Sequence, residues 1–377
     1  MKIVIVNQHL YDVVGGSELQ CDIIAAHLTE FGHEVVYLAV NGRSPVYDTS
    51  YSVIPIESAN PRQIYQILDE IRPSVVYWRY NKKGLLLAAL AARLTGSKFI
   101  FSMSHINDAQ PFVYSGQTIF AGNSGKRAGQ RYWRSVFKDL VYLRPFRSFL
   151  NYLAVPRLVD GVVSNNADYL QKIPHQQKKA IPNSMPMPLA AVGFDWPRPY
   201  VIWVANIKAS KNPQMYLELA KALSATKVDF LMVGKVQDPT YEYLLAANQE
   251  VTNFHFLGPQ SPAFVNGVLE KSLFLVHTCN PEGFSNIFIQ AWLQAKPTIT
   301  LYFDPEGIIE REQIGYWSGT FVQFVEQTRF LIENEAERAA MGQRAQQFAR
   351  EQFDAETNVR RLENFLLNVV STKRERI

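Results

Sequence analysis

The sequence predicts an α/β protein with two Rossmann-like domains, each built on a parallel β-sheet, that face each other across an interdomain cleft. Three observations support this fold class. The chain has 377 residues, enough for two domains of about 100–200 residues each. Short apolar runs alternate with helical patterns in both halves, and prolines are concentrated between the halves. The content of 47% hydrophobic and 19% charged residues is typical of globular proteins and excludes intrinsic disorder.

The first half begins with a strand–helix–strand unit. Residues 3–6 and 34–40 are apolar runs typical of buried parallel strands, and the apolar positions between 19 and 28 have helical spacing. The alternation continues to residue 164 with connections too long for hairpins, so we expect the strands to be parallel. This pattern predicts an N-terminal domain over residues 1–183.

The second half repeats this organisation after a proline-rich segment. Five of the 20 prolines lie between residues 181 and 199, so we place an interdomain linker at 184–199. A second series of strands and helices follows and predicts a C-terminal domain over 200–350. The remaining residues, 351–377, are expected to form a C-terminal helix that packs back on the N-terminal domain.

Charge and cysteine content constrain the partners and the compartment. A net charge of +4 is too small for this length to indicate a nucleic-acid partner. Cys21 and Cys279 are too far apart in sequence to suggest a disulfide framework or a zinc site, which favours a reducing compartment. The apolar runs are too short for a signal peptide or a membrane span. We therefore expect a cytoplasmic protein.

Two loops that follow predicted strands could contact an anion. In the first, Gly15 and Gly16 allow close backbone approach at the start of a helix, where N–H groups can bind a phosphate. The alternative is a tight turn with Ser17 as the helix cap. In the second loop, Lys208 and Lys211 lie near a predicted helix N-terminus, where cations oppose the helix dipole unless an anion lies between them. Exposed lysines also occur in loops for solubility alone.

A third loop carries the most information. Residues 282–286 read E-G-F-S-N and place a carboxylate, a glycine and two polar residues at the end of a strand and the start of a helix. Glu282 is not suited to an apolar core. Glu282 from the loop and Gln290 from about one turn into the helix could line the same pocket.

This motif resembles the retaining glycosyltransferases of family 4, the group 1 transferases with the GT-B fold. Their signature is E-G-F with a second Glu eight positions after the first, an Ala-rich helix and a K-P-V-I-like strand. It stands here as E-G-F-S-N-I-F-I-Q-A-W-L-Q-A-K-P-T-I from residue 282. G-G-S-E, S-N-N-A-D-Y-L, I-P-N-S and V-A-N-I-K-A-S-K also fit the family in order, so the resemblance brackets nearly the whole chain.

The resemblance implies transfer of a sugar from a nucleotide diphosphate-sugar to an acceptor hydroxyl, with retained anomeric configuration, in surface polysaccharide or glycolipid assembly. The N-terminal domain would bind a saccharide or lipid-linked acceptor, and the C-terminal domain would bind the donor. The implied catalytic residues are His105, Lys211 and Glu282. The implied donor-binding residues are Gly15, Gly16, Asn206, Lys208, Lys211, Glu282, Gly283, Phe284, Ser285, Asn286 and Gln290.

The resemblance also implies a role for each of these positions. Lys211 would bind the diphosphate, which the backbone at Gly16 would approach. Glu282 and the N–H groups that follow it would hold the hydroxyls of the donor sugar, and Gln290 would meet the ribose. His105 would lie near the transferred sugar. Without the resemblance, His105 is a loop histidine with no assigned task.

No cofactor and no metal ion are expected, because the chain contains no D-x-D sequence that could clamp a metal on the diphosphate. Two positions depart from the family pattern. Gln290 replaces the second glutamate, and Ala205-Asn206 replaces a frequent Gly-Arg pair. These departures leave open a catalytically weakened sugar-nucleotide-binding partner subunit. A sugar-nucleotide epimerase on the same architecture is a third hypothesis.

Residues 123–158 form a basic segment with eight Lys or Arg, one acidic residue and interleaved aromatic residues, for a net charge of +7. Such a segment could lie on an anionic membrane, at its cytoplasmic face, and approach a lipid-linked or polyanionic acceptor. The alternative is a solvated helix whose aromatic side chains pack on their own domain. A nucleic-acid partner is not expected, because no reading motif accompanies the charge.

Overall fold

The computed structural model describes residues 1–80, 84–103, 108, 144–280 and 284–373. The chain divides into two compact units. The first contains the described residues up to Pro186 together with 353–373, and the second contains those of 187–352.

A parallel sheet of seven described strands forms the centre of the first unit. The strands are β1 (Lys2–Asn7), β2 (Glu34–Val40), β3 (Ser52–Ile56), β4 (Val75–Trp78), β5 (Lys98–Met103), β6 (Gly161–Ser164) and β7 (Lys178–Ala180). They lie in the order β3-β2-β1-β4-β5-β6-β7, and each neighbouring pair is parallel. The order reverses beside β1, and ligands of such sheets bind at the carboxyl ends of the strands near that reversal.

Helices cover the first sheet on both faces. They are α1 (Gly16–Glu30), α2 (Pro61–Ile71), α3 (Leu85–Leu94), α4 (Arg144–Leu158) and α5 (Ala167–Gln171). Val4 and Val6 of β1 pack into one apolar cluster, whereas Ile3 and Ile5 pack into another. Because successive side chains of a strand point to opposite faces, the two clusters lie on opposite sides of the sheet.

The second unit contains a parallel sheet of six described strands. They are β8 (Tyr200–Val204), β9 (Asp229–Val233), β10 (Phe254–Phe256), β11 (Leu275–His277), β12 (Thr298–Thr300) and β13 (Gly315–Trp317). Their order is β10-β9-β8-β11-β12-β13, again with every neighbouring pair parallel. The order reverses beside β8, so the loops after β8 and β11 lie at the expected ligand-binding position.

The second unit contains six described helices. They are α6 (Pro213–Ala222), α7 (Pro262–Lys271), α8 (Asn286–Leu293), α9 (Ile308–Arg311), α10 (Phe321–Glu333) and α11 (Glu335–Gln352). Three 3₁₀ turns lie at Ala209–Lys211, Pro239–Gln249 and Pro305–Gly307. Pro213 and Pro262 each occupy the first helical position, where proline needs no N–H partner. The Thr320 side chain caps α10 by accepting from the Gln323 N–H.

The last described helix, α12 (Ala355–Ser371), belongs to the first unit. The Asp354 carboxylate caps it by accepting from the Thr357 N–H at 2.8 Å. Its buried Leu362 and Leu366 join the apolar cluster that contains Ile3. His33 forms a 2.7 Å hydrogen bond with the Glu363 carboxylate and adds a polar contact between α12 and the first strands.

These two parallel sheets with flanking helices confirm the predicted α/β fold class. In the part of the chain that the structure describes, every helix is too short or too polar to cross a lipid bilayer.

Candidate functional site

In the second unit, the loop after β8 is hydrogen bonded to the segment after β11. The Asn280 N–H donates to the Ser210 carbonyl at 2.9 Å. The Thr278 hydroxyl donates to the Lys211 carbonyl at 2.7 Å, and the Asn212 side-chain amide donates to the Thr278 carbonyl at 3.1 Å. The lysine-containing loop is therefore fixed against the segment that leads into the 282–286 motif.

Thr278 is the central residue of this contact, and the sequence did not identify it. Its side chain is fully buried, and its hydroxyl also accepts from the Trp203 indole N–H at 2.9 Å. A buried hydroxyl with both a donor and an acceptor partner fixes the positions of both partners. The only sequence signal was a polar residue directly after a buried strand.

The structure places Lys208 directly before, and Lys211 at the end of, the 3₁₀ turn that precedes α6. Lys208 is exposed and Lys211 is half-buried. Asn212 follows with a φ of 45°, in the left-handed region, and Pro213 starts α6. Both lysines therefore lie at the N-terminal end of a helix. Asn206 lies just after β8 in the same loop and is half-buried.

The same loop is hydrogen bonded on its other side to the loop after β9. The Ile207 N–H donates to the Lys235 carbonyl at 2.8 Å, and the Gln237 N–H donates to the Ile207 carbonyl at 3.0 Å. Gly234 makes this close approach possible, because a Cβ at that position would overlap the Ala205 carbonyl oxygen. The loops after β9, β8 and β11 thus form one connected edge.

A cleft of about 290 Å³ opens at the β9 and β10 end of this edge. Its lining is mainly apolar, with two polar side chains, and comprises Val236, Gln237, Pro239, Glu242, Leu245, Phe256 and Pro259. The volume is near the lower end of the range of about 300–1,000 Å³ for small-molecule pockets. The cleft can therefore accept one ring system.

At the β11 end of the edge, Phe284, Ser285 and Asn286 lead into α8. The Phe284 ring packs against Phe288 and Trp292, with ring centroids 6.3 and 6.1 Å apart. Asn286 is buried as the first residue of α8, and Ser285 precedes it as the N-cap residue. Because α8 is buried along its length, its N-terminal N–H groups have a fixed direction. Glu282 and Gly283 lie outside the described residues.

Gln290 is buried in α8 and connects three segments. Its side-chain amide donates to the Asn266 side chain at 2.9 Å, and Asn266 donates to the Ala190 carbonyl at 2.7 Å. These bonds join α8 to α7 and to the segment that precedes β8. The predicted contact between Gln290 and a ribose stays a prediction.

In the first unit, Gly15 and Gly16 begin α1, with Gly15 as the N-cap residue. The alternative in which Ser17 caps this helix is wrong, because Gly15 is the N-cap residue and the Ser17 hydroxyl accepts from the Asn7 side chain at 3.0 Å. Glu18 folds back over Gly15, where a Cβ would overlap its carboxyl oxygen. Burial raises the pKa of Glu18. His105 lies outside the described residues.

The loop that leads to Gly15 is anchored by a buried histidine. His9 Nδ1 accepts from the Tyr11 N–H at 3.2 Å, His9 Nε2 lies 2.9 Å from the Tyr51 hydroxyl, and that hydroxyl donates to Asp22 at 2.5 Å. This chain of bonds requires a neutral His9 that donates from Nε2. Burial lowers the pKa of His9, although Asp22 and Asp12 act in the opposite direction.

Residues 190–348 match the model of the family described as glycosyl transferases group 1. This match confirms the resemblance to the group 1 glycosyltransferases that the sequence suggested. No curated protein matches the chain.

Solved structures of the same fold cover nearly the whole chain. HepE of Anabaena, crystallised with UDP-glucose, has a TM-score of 0.71 at 16% identity and covers 98% of this chain and 100% of that chain. Sucrose-phosphate synthase of Thermosynechococcus elongatus has a TM-score of 0.73 at 12% identity and covers 99% and 100%. A glycosyltransferase of Rickettsia africae has a TM-score of 0.73 at 14% identity and covers 99% of each chain. These similarities confirm the predicted GT-B fold.

Replacing Thr278 by valine tests the contact between the two loops. We expect Thr278→Val to lower the free energy of unfolding by about 1–3 kcal/mol, because the Trp203 N–H and the Lys211 carbonyl lose their partner. Thr300→Val is the matched control. Thr300 is equally buried, and its hydroxyl has no hydrogen-bond partner among the described residues. Urea denaturation should show no loss for this control, and an equal loss in both variants would contradict the interpretation.

The His9 network predicts a pH dependence of stability. Because the pKa of His9 is lower in the folded chain than its usual 6.5, the unfolded chain binds more protons at acidic pH. The His9 contribution is complete above about pH 6.5 and is lost as the pH falls towards the lowered value. Thermal denaturation between about pH 8 and pH 5 should therefore show a smaller loss of stability in His9→Gln than in the unchanged protein. Identical pH profiles would rule out this role of His9.

Proposed function

We propose that this protein transfers a sugar from a nucleoside diphosphate sugar to an acceptor hydroxyl. One observation carries the proposal: the cleft beside β9 and β10, the two lysines after β8 and residues 284–286 at the start of α8 lie in this order along one sheet edge. The donor has the same order of parts, namely base, diphosphate and sugar. Neighbouring strands are about 4.8 Å apart, so β9 and β11 are separated by about 10 Å. This span suits a diphosphate with a ring on either side.

In the proposed complex, the cleft holds the base, and Lys208 and Lys211 hold the diphosphate. As the glycosidic bond breaks, negative charge grows on the diphosphate and the sugar becomes oxocarbenium-like. Fixed positive charge at the leaving group therefore lowers the barrier. The hydrogen bonds from Thr278 and Asn280 hold the lysine loop in place before the donor binds, so little reorganisation is needed.

The remaining roles follow the family resemblance. Glu282 and the N–H groups of residues 283–285 would bind the hydroxyls of the donor sugar, and His105 would lie near the transferred sugar. The backbone at Gly16 would approach the diphosphate, and Gln290 would meet the ribose. We propose that the transfer retains the anomeric configuration. Lysines and backbone N–H groups, rather than a metal ion, would stabilise the leaving group.

The solved structures support a nucleotide-sugar donor. HepE was crystallised with UDP-glucose and also with UDP and glucose. A TarM variant of S. aureus was crystallised with UDP and α-GlcNAc-glycerol. WaaG, which has a TM-score of 0.68 and 13% identity to this chain, is a glycosyltransferase involved in lipopolysaccharide biosynthesis. We propose by analogy that the acceptor is a saccharide or a lipid-linked saccharide in surface polysaccharide or glycolipid assembly.

We also propose that the protein works in the cytoplasm. Cys21 and Cys279 are both buried thiols rather than a disulfide, which fits a reducing compartment. Of the basic segment 123–158, only residues 144–158 are described, as α4. Its contact with the cytoplasmic face of a membrane stays a prediction here.

The proposed function is tested in two steps. The first is a thermal-shift screen of UDP, GDP, ADP and TDP sugars, which identifies a donor because a ligand at 100 times its Kd stabilises the fold by about 2.7 kcal/mol. The second is the replacement of Lys211 by alanine, assayed with that donor. We expect Lys211→Ala to lower sugar transfer or donor hydrolysis about a hundredfold, because it removes a charge that stabilises the leaving group. The control is Lys227→Ala, which removes an exposed lysine just before β9, at the opposite edge of the sheet. It should retain full activity.

Three outcomes would contradict the proposal in different ways. Nucleotide binding without turnover of any donor would favour the partner-subunit hypothesis. An isomerised donor formed without an acceptor would favour an epimerase. An unchanged rate in Lys211→Ala would remove Lys211 from the mechanism. The anomeric configuration of the product, measured by NMR, tests retention separately.

A further inference from the structure

Gln290 belongs to a chain of hydrogen bonds that ends at a backbone carbonyl. The Ala190 carbonyl accepts from the Asn266 side-chain amide at 2.7 Å, and the Asn266 side chain accepts from the Gln290 side-chain amide at 2.9 Å. A carbonyl oxygen can only accept, so Asn266 must turn Nδ2 towards Ala190 and Oδ1 towards Gln290. Gln290 must then present Nε2 to Asn266. The Ala190 carbonyl therefore sets the orientation of both side-chain amides.

The segment that carries the Ala190 carbonyl is fixed against α7. The Val192 N–H donates to the Ala263 carbonyl at 3.0 Å. Gly267 allows the close approach, because a Cβ at that position would overlap the Val192 carbonyl oxygen. Asn266 is only 5% exposed, so water competes little for its bonds. The orientation of the two amides is therefore set by folding, before any ligand binds.

The Gln290 side chain has its nitrogen bonded to Asn266 and its oxygen left for another partner. None of the residues that the structure describes donates a hydrogen bond to Gln290 Oε1. Gln290 is 8% exposed and is the fifth residue of α8, about 6 Å along the axis from the first residue. Because α8 follows β11, its first turn lies at the sheet edge that holds the lysine loop. A hydroxyl donor from a ligand at this edge would satisfy the oxygen.

We propose that Asn266 is a positioning residue that holds the Gln290 oxygen towards the nucleotide, where it accepts from a ribose hydroxyl. This inference rests on the proposed function and on the ribose contact that the resemblance implies. It also gives a physical reason for the departure from the family signature. A glutamate at position 290 would bring a carboxylate oxygen against Asn266 Oδ1, whereas glutamine offers an N–H to Asn266 and an oxygen to the ligand.

Ribose selectivity tests the contact. We would measure the affinity of UDP, GDP and ADP by isothermal titration calorimetry and compare each with its 2′-deoxy and 3′-deoxy forms. For the nucleotide that binds most tightly, we expect the loss of one of the two hydroxyls to weaken binding about tenfold, because the Gln290 oxygen loses its donor. Gln290→Leu should abolish this selectivity.

Two changes at Asn266 separate orientation from stability. Asn266→Leu leaves the Gln290 amide free to turn, so we expect the selectivity to fall to about threefold or less. Asn266→Asp keeps an oxygen opposite Gln290 Nε2 and should keep the selectivity, even where the lost bond to Ala190 lowers stability. The matched control is Asn253→Leu. Asn253 is also buried and donates to the Ala220 carbonyl at 3.0 Å, but it precedes β10 at the opposite edge of the sheet. This control should lose stability and keep the selectivity.

A double-mutant cycle tests the polarity of the chain without a nucleotide. We expect Gln290→Glu alone to lower the midpoint of thermal unfolding, because its carboxylate faces the Asn266 oxygen. Asn266→Ala/Gln290→Glu should recover part of that loss, which makes the two changes non-additive. Additive losses would contradict the proposed polarity, since the burial of a carboxylate would then account for the effect by itself.

The binding results distinguish this inference from the proposed function. Nucleotide binding with no preference for either ribose hydroxyl would overturn the role of Gln290 and Asn266 and leave the proposed sugar transfer standing. Unchanged selectivity in Asn266→Leu, or an equal loss of selectivity in Asn253→Leu, would overturn the positioning role alone. Absence of binding to all three nucleotides would overturn both the inference and the proposed function.

Discussion

The candidate site depends on one contact, the set of hydrogen bonds that joins the loop after β8 to the segment after β11. Thr278 lies at its centre, buried between the Trp203 indole and the Lys211 carbonyl. Parallel strands bring these two loops to the same edge, but the sheet alone does not fix where the loops point. The side-chain and backbone bonds from Thr278, Asn212 and Asn280 fix the lysine loop against residues 278–280, which follow β11.

Hydrogen bonds along this edge of the second sheet keep the groups that would bind the donor next to one another. The Ile207 backbone bonds link the lysine loop to the loop that lines the cleft, and the Asn280 N–H links the lysine loop to the segment after β11. Gly234 allows the loop after β9 to approach the lysine loop, because it leaves space for the Ala205 carbonyl. A donor that spans the edge would contact the cleft, the lysines and the segment after β11 at once. Because folding already orders these loops, donor binding would cost little further conformational entropy.

The fold was predictable from the sequence because alternating apolar runs and helical patterns are local signals, and both sheets follow them. The contact between the loops after β8 and β11 was not predictable, because the partners of Thr278 lie 67 and 75 residues away along the chain. Ser17 also shows the effect of a distant partner. Its residue type suggested a helix cap, but it is the second residue of α1 and its hydroxyl accepts from the Asn7 side chain.

A crystal structure of the protein with its donor, or with the matching nucleoside diphosphate, tests the central proposal most directly. The account predicts the base beside Phe256 in the cleft and the diphosphate within hydrogen-bond distance of the Lys211 side chain. A nucleotide bound at any other edge of either sheet, or a diphosphate out of reach of both Lys208 and Lys211, would contradict it.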